Sequence, residues 1–290
     1  MNSIETAPPA PHLLPFTVAL IPDAVRLSAK EGWPHRPEDW ELIAAISDGV
    51  VASQGARIVG TAFATPFGKT VAMINMIIVD ESMRGRGLGR RLVEHVMAAG
   101  GDREMRLVAT QSGLALYEKL GFVRTGQILQ HQGKAVAVPA PKETADARAD
   151  DWDAIAALDR LACRADRHRL FERLRAIGEA VVLRDDRGQV TGFALCRPFG
   201  RGVVIGPVVA RDGEAAKRLI AAHLHRHAGA FVRVDTPATS GLAPWLADHA
   251  LSPVGGGITM TFRGAAAIEE AARKAPDDIQ TFALAAQALG

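Results

Sequence analysis

The 290-residue chain contains two cysteines, one tyrosine and only 5% aromatic residues. It has no apolar run approaching the roughly 20 residues that cross a bilayer, and VAMINMIIV is too short. Cys163 and Cys196 show no metal-ligand spacing, which suits free, buried thiols in a reducing compartment. The opening MNSIETAPPAPHLLPF has no basic region followed by a long apolar core and so does not read as a secretory signal. Cytoplasmic residence is the simplest expectation. An excess of charge is also lacking: 34 basic against 32 acidic residues leave +2, too little to favour DNA, RNA or an anionic membrane surface. Any positive charge with a function must act locally.

What is present is an ordinary globular composition, 48% apolar and 23% charged, in a length that suggests two units of roughly 130 to 150 residues. After a lead over residues 1–13, LLPFTVALI reads as a strand. Pro22 opens a helix that Gly32 closes, and a second helix runs from Pro37 to about Ser47. The stretch GVVASQGARIVGTAFATPFGKTVAMINMIIV reads as a three-strand antiparallel meander with turns at Gln54-Gly55 and Phe67-Gly68-Lys69. A helix over Gly87–Ala99, the strand MRLVAT, the helix GLALYEKL and the strand FVRTGQIL complete a unit ending near 138. Residues 139–150, rich in proline, alanine and charge, read as a linker.

The same order then repeats over 151–290: two helices, a meander, the helix GEAAKRLIAAHLHRH, the strand AFVRVDT, a helix at LAPWLADH and the strand ITMTF. Setting Val79 beside Val209 gives an internal duplication of about 130 residues. The tail from Ala265 to Leu289 is expected to be helical and to pack on the second unit.

The most informative stretch is IIVDESMRGRGLGRRLVEHVM. Glycines between a strand and a helix let backbone amides converge, and the helix start adds unpaired N–H groups and a positive dipole end. Arg84 and Arg86 supply charge-assisted hydrogen bonds. Such a turn suits phosphate, but it has neither the dinucleotide GxGxxG spacing nor a P-loop Gly-Lys-Ser/Thr. The pattern Arg84-x-x-Gly87-x-Gly89 after Ile77-x-Val79, followed by a helix, a strand and LYEKLGF, resembles the motif series of the GNAT N-acetyltransferase superfamily over about Leu14 to Val138. The whole chain resembles two-domain bacterial GNAT proteins. The fold class implied is α/β with α+β mixed sheets: tandem domains, each a largely antiparallel mixed sheet flanked by helices.

The resemblance implies acetyl-CoA as co-substrate. Pantetheine would lie in a V-shaped opening between the strand ending at Val79 and the parallel strand Leu107–Thr110, against Ile77, Ile78, Val79 and Thr110. Its pyrophosphate would sit on Arg84, Gly85, Arg86, Gly87, Leu88 and Gly89, where a Cβ at Gly87 or Gly89 would block close approach. Tyr117 stands where the family's tyrosine commonly protonates the departing thiolate. In a chain with ten phenylalanines, a core ring needs no hydroxyl. Anchoring the cofactor sulfur is the alternative role.

The base is left open between a carboxylate, a histidine, an ordered water and bulk solvent. Asn75 is a water-holding candidate, or equally a satisfied core amide. His35 is a candidate at the acceptor site, with Glu31 and Asp39 nearby, and Trp33 and Trp40 are candidate walls. In the second half VVARDGEAAKRL has no glycine and arginine cradle, and Leu246 stands opposite Tyr117, so that copy reads as degenerate. It would shape the acceptor pocket or mediate self-association as a homodimer. His223, His225 and His227 spread around a helix and read as a solvated face, with no metal expected. Gly255-Gly256-Gly257 reads as a bulge or turn. The expected activity is acetyl transfer to the primary amine of a small molecule, by direct transfer in a ternary complex. A non-catalytic acyl-CoA sensor is the alternative, and a nucleic-acid binder is disfavoured by the near-neutral charge.

Overall fold

The computed structural model describes residues 10–263 and 279–290. Strand β1 is His12–Pro15, a 3₁₀ turn follows at Val18–Leu20, and helix α1 is Ile21–Lys30. The strand expected over LLPFTVALI is thus cut short: Pro15 has no N–H to give a ladder, and Pro22 presets the helix. Helix α2 is Pro37–Ala44, and Asp39 accepts the Arg36 N–H at its start. The meander forms as β2 (Asp48–Gln54), β3 (Arg57–Phe67) and β4 (Val71–Val79). Its strands are apolar on both faces because both are covered. Leu88, Leu92, Val93 and Val96 of α3 (Leu88–Gly100) pack on one side, and Ile21, Ala24 and Leu27 of α1 on the other. Strand β5 (Glu104–Ala109), helix α4 (Leu114–Lys119) and strand β6 (Val123–Lys134) follow.

The second half begins inside the expected linker, because Thr144–Asp146 is a strand, β7. It is an edge strand paired with β8 (Glu179–Arg184), as β1 is paired with β2. Helices α5 (Trp152–Cys163) and α6 (His168–Ile177) precede β8. Then come β9 (Val190–Phe199), β10 (Gly202–Ala210), α7 (Gly213–Arg226), β11 (Phe231–Pro237), α8 (Ala243–Asp248) and β12 (Ser252–Phe262). The expected tail helix is corrected in part: Gln280–Ala283 is a strand, β13, and residues 264–278 of that expectation lie outside the described residues.

All the described strands join one mixed sheet, ordered β1-β2-β3-β4-β5-β12-β6-β11-β10-β9-β8-β7, with β13 paired to β10. FVRTGQIL and ITMTF therefore do not close their own units. Strand β12 crosses into the first half to pair with β5, with Met260 opposite Leu107, while β6 crosses to pair with β11, with Gln132 opposite Arg233. Where β12 meets β6 the three glycines form the expected bulge, with a register shift between Pro253 and Gly255. A Cβ on Gly256 would lie 1.9 Å from the Ile128 carbonyl, so no larger residue lets the strands approach.

The parallel pair at the centre of each half opens. β4 and β5 pair only from Val71 to Met73, and β10 and β11 only at Val203 and Val204. A bulge follows in each inner strand. In β4 it sets Met76 at φ 48°, with its carbonyl accepting from Thr61 Oγ1 at 2.7 Å. In the second half β13 fills the gap, pairing Ala283, Thr281 and Gln280 with Val208, Val209 and Ala210. Gly206 clears its path, since a Cβ there would stand 1.9 Å from the Leu284 carbonyl. The segment then continues between the halves, where the fully buried Arg167, paired with Asp159, donates to the Leu289 and Gly290 carbonyls.

Because each half depends on the other for a central strand, residues 1–138 expressed alone should expose the edge of β5 and be recovered as aggregate, while co-expression with 139–290 should restore a soluble, cooperatively melting complex. A soluble first half with a native-like melting transition on its own would contradict the exchange.

Candidate active site

The loop after β4 is organised by a carboxylate. Asp80 is buried and accepts from Ser82 N and Oγ at 3.1 and 2.6 Å, from Lys30 Nζ at 3.1 Å and from Arg57. The Ser82 hydrogen bonds and the two cations hold its carboxyl well below the usual carboxylate range. Gly85 and Gly87 lie beyond it at φ 73° and 76°, with open space where a Cβ would stand. Gly87 is required by its left-handed backbone as the residue preceding α3, while Gly89 has only ordinary contacts, the nearest being Leu116 at 3.4 Å. Crowding within the protein therefore explains neither glycine.

The first amides of α3 have no intrahelical acceptor and are left at this open turn. Arg86 is exposed, with no ion-pair partner among the described residues. Arg84 lies back across the loop, bonded to Glu31 and donating from Nε to the Val79 carbonyl at 3.3 Å. The donors, the glycine backbone and the open volume fit a pyrophosphate.

On β4 the three expected contact residues divide. Ile78 pairs with Thr61 and Asp80 N–H donates to Val59, so Ile78 spends its peptide groups on β3 and its side chain in the core. The inclusion of Ile78 is thereby corrected. Ladder alternation turns the peptide groups of Ile77 and Val79 toward the side that β5 leaves open.

That opening leads into a cavity of about 220 Å³, where Trp33, His35, Asn75, Ile77, Thr110 and Tyr117 come together. Gly113 allows Tyr117 to lie close to the backbone, since a Cβ there would reach its ring at 2.7 Å. Burial pushes the Tyr117 phenol well above its ordinary value of 10, so it is protonated throughout the neutral range. Its hydroxyl has no hydrogen-bond partner among the described residues. Asn75 donates from Nδ2 to Thr65 Oγ1 at 2.8 Å, and its buried Oδ1 is without a partner.

His35 packs edge-on among Trp33, Trp40 and Phe199, with centroids 5.8 to 6.1 Å away. Burial lowers its pKa to about 4, so it is neutral at pH 7 and a weak base. Trp40 belongs to the core behind it, fully buried against Phe16 and Phe63. Neither nearby carboxylate faces the cavity: Glu31 binds Arg84, and Asp39 binds Arg36, Arg197 and the Gly200 amide.

Sequence reasoning missed the part of the lining that comes from elsewhere in the chain. Gln130 of β6, Arg233 of β11, Gly256 of β12 and Gln287 after β13 all reach the cavity. Arg233 and Asp235 share one face of β11, a signal present in the alternation of FVRVDT. Which cavity that face meets depends on the strand exchange.

Leu246 is fully buried in α8, with no polar atom to offer. The histidine reading is also corrected, since His223 is buried and bonds the Ala194 carbonyl at 3.1 Å. His227 follows the last residue of α7 one turn beyond His223, and a ring nitrogen of each lies within 4.8 Å of the other and of Cys196 Sγ. Among the described residues no helix is long and apolar enough to cross a membrane.

Two family profiles match the chain, both described as an acetyltransferase (GNAT) domain, over residues 46–124 and 155–273. The uncharacterized N-acetyltransferase YitH of Bacillus subtilis is 28% identical over 204 residues, covering 68% of this chain and 72% of that protein. A putative acetyltransferase from Pyrococcus horikoshii has the same fold over 100% of this chain and 99% of its own, with a TM-score of 0.79 and 18% identity. A tandem GNAT protein from the clavulanic acid biosynthesis pathway aligns over 88% of this chain and 99% of its own, with a TM-score of 0.64 and 17% identity.

Arg86→Ala should weaken CoA binding about 5- to 20-fold in calorimetry, more at low salt, with the melting temperature unchanged. An unaltered affinity would remove Arg86 from the phosphate site. His35 and His223 both titrate near 4 in the folded chain against an ordinary 6.5. The unfolded chain thus binds more protons between those values, and stability falls as pH drops from 6.5 toward 4, by up to a few kcal/mol. Urea denaturation at pH 7 and pH 4.5 should show the loss, and His35→Gln should reduce the difference between the two pH values.

Proposed function

As a member of the GNAT acetyltransferase family in both halves, the chain is an acyltransferase, and we propose that it transfers the acetyl group of acetyl-CoA directly to the primary amine of a small molecule. The observation that carries this reading is the unpartnered, protonated Tyr117 in a cavity continuous with the opening between β4 and β5. The amides of Leu88 and Gly89, the backbone around Gly85 and Gly87, and Arg86 hold the pyrophosphate, which Arg84 joins on leaving Glu31. Ile77 and Val79 offer their peptide groups to the pantetheine arm, and Thr110 lines its far side. Acetyl-CoA supplies the activated thioester.

As the amine nitrogen bonds to the acetyl carbon and the carbon–sulfur bond breaks, Tyr117 gives its proton to sulfur. The neutral phenol can donate a hydrogen bond to the sulfur as charge develops there, and because burial makes it a weaker acid its proton passes only as the carbon–sulfur bond breaks. The amine enters unprotonated and loses a proton after attack. Asn75 lines the cavity with its Oδ1 buried and unpaired, and it holds a water for that proton only where a side-chain rotation brings the oxygen to the cavity. His35, with its low basicity, serves as an acceptor-site wall better than as a base.

Tyr117→Phe should lower kcat about 100-fold while changing the acetyl-CoA dissociation constant by less than about twofold. Thiol release at saturating substrates measures the first and calorimetry the second. Normal turnover would defeat the proton-donor role. Binding of acetyl-CoA without thiol release for any amine would favour a sensor.

A further inference from the structure

The cavity contains a cation and no anion. Among its described lining residues there is no aspartate or glutamate, while Arg233 enters from β11 of the second half. That guanidinium is largely desolvated, with its side chain 14% exposed. Its Nε donates to Asp235 Oδ2 at 2.9 Å, and its Cζ lies 5.2 Å from the centre of the Phe199 ring. Its two terminal nitrogens have no hydrogen-bond partner among the described residues.

Asp235 does not fully serve it. The carboxylate is completely buried, and its other oxygen accepts from Gln287 Nε2 at 3.0 Å. A second buried cation, Arg197, lies on Phe199 at 5.1 Å, and the nearest carboxylate to it is Asp39 at 3.6 Å. Arg36 already takes both oxygens of Asp39, at 2.9 and 3.2 Å. This part of the pocket is therefore short of negative charge, and a partly buried guanidinium with both terminal nitrogens unpaired is costly unless something pairs with it. Gln130 and Gln287, bonded to each other at 3.2 Å, add neutral polar atoms beside it.

From this we infer that the acceptor amine carries an anionic group, a carboxylate or a phosphate, which Arg233 of the second half grips while the amine faces Tyr117 and Asn75 of the first. The inference rests on the amine-acetylation reading above and gives the degenerate half a definite role, substrate selection. The fork of a guanidinium matches either oxyanion bidentately. The same positive field disfavours a protonated amine in the cavity, so the nucleophile is delivered in its reactive form without a dedicated carboxylate base. Polyamines are excluded on the same ground.

The test uses the full chain, acetyl-CoA and matched acceptors: α-amino acids against their primary amides, amino sugars against amino-sugar phosphates, and a diamine. The native protein should favour the anionic members about 10- to 100-fold in kcat/KM, and the carboxylate and phosphate arms tell which anion is preferred. Arg233→Gln should abolish that preference by raising KM for the anionic member, with kinetics on the neutral member within about twofold. Arg233→Lys, which keeps the charge, should retain part of the preference and carries the test if the glutamine variant does not fold. Acetylation with no anionic preference, a diamine as the best acceptor, or an equal fall in kcat for all acceptors in Arg233→Gln would overturn the inference and leave amine acetylation standing. Bound acetyl-CoA with no thiol release in any arm would overturn both.

Discussion

A strand buried in the middle of a sheet must have a partner on each side, because an unpaired N–H or C=O hidden from water costs about as much as a lost hydrogen bond. The architecture of this chain follows from how that requirement is met at two places. Strands β5 and β11 each end their own half with an open edge. The chain closes both by exchange, sending β12 to β5 and β6 to β11. One sheet then runs through both halves, and no surface separates a catalytic unit from an accessory one.

The same requirement, met differently, separates the two copies. In each half the central parallel strands diverge after two or three residues, and a bulge turns the inner strand away. Peptide groups are left facing a gap. In the second half β13 occupies it, with Gly206 making room. In the first half the gap stays open beside Gly85 and Gly87, and in the function proposed above the pantetheine arm would take the place of the strand. Degeneracy in the second half is thus more than the loss of a glycine loop and a tyrosine. Its cleft is filled by its own backbone.

The electrostatics of the cavity are equally one-sided. Burial keeps the Tyr117 hydroxyl protonated and the His35 ring neutral, and the charge that remains is that of Arg233. A pocket of this kind can donate a proton to a leaving thiolate and can hold an anion. It has little capacity to remove a proton from an ammonium, so the acceptor's own ionisation becomes part of the chemistry. The nearby carboxylates are spent on structure: Asp80 shapes the loop, Asp39 ties α2 to β9, and Glu31 restrains Arg84.

The local features were legible in the sequence because they depend on near neighbours. Hydrophobic periodicity marked the meanders and helices, the spacing Arg84-x-x-Gly87-x-Gly89 marked an open turn before α3, and the lone Tyr117 marked a side chain whose hydroxyl meets no partner among the described residues. The order of elements was enough to show two similar halves, and the missing glycine and arginine spacing in the second, with Leu246 opposite Tyr117, carried the proposal that the first holds the chemistry. Periodicity cannot say which strand lies beside which, since β6 and β12 would fit the same alternation in either half. Only the tertiary structure decided that β12 and β6 change places, that the tail supplies a strand to the second cleft, and that Ile78 turns from the opening while Ile77 and Val79 face it. It also decided that Arg233, distant in sequence, enters the first half's cavity. Pairing across a sheet is chosen by the global cost of unsatisfied edges, and that cost is not written in any one segment.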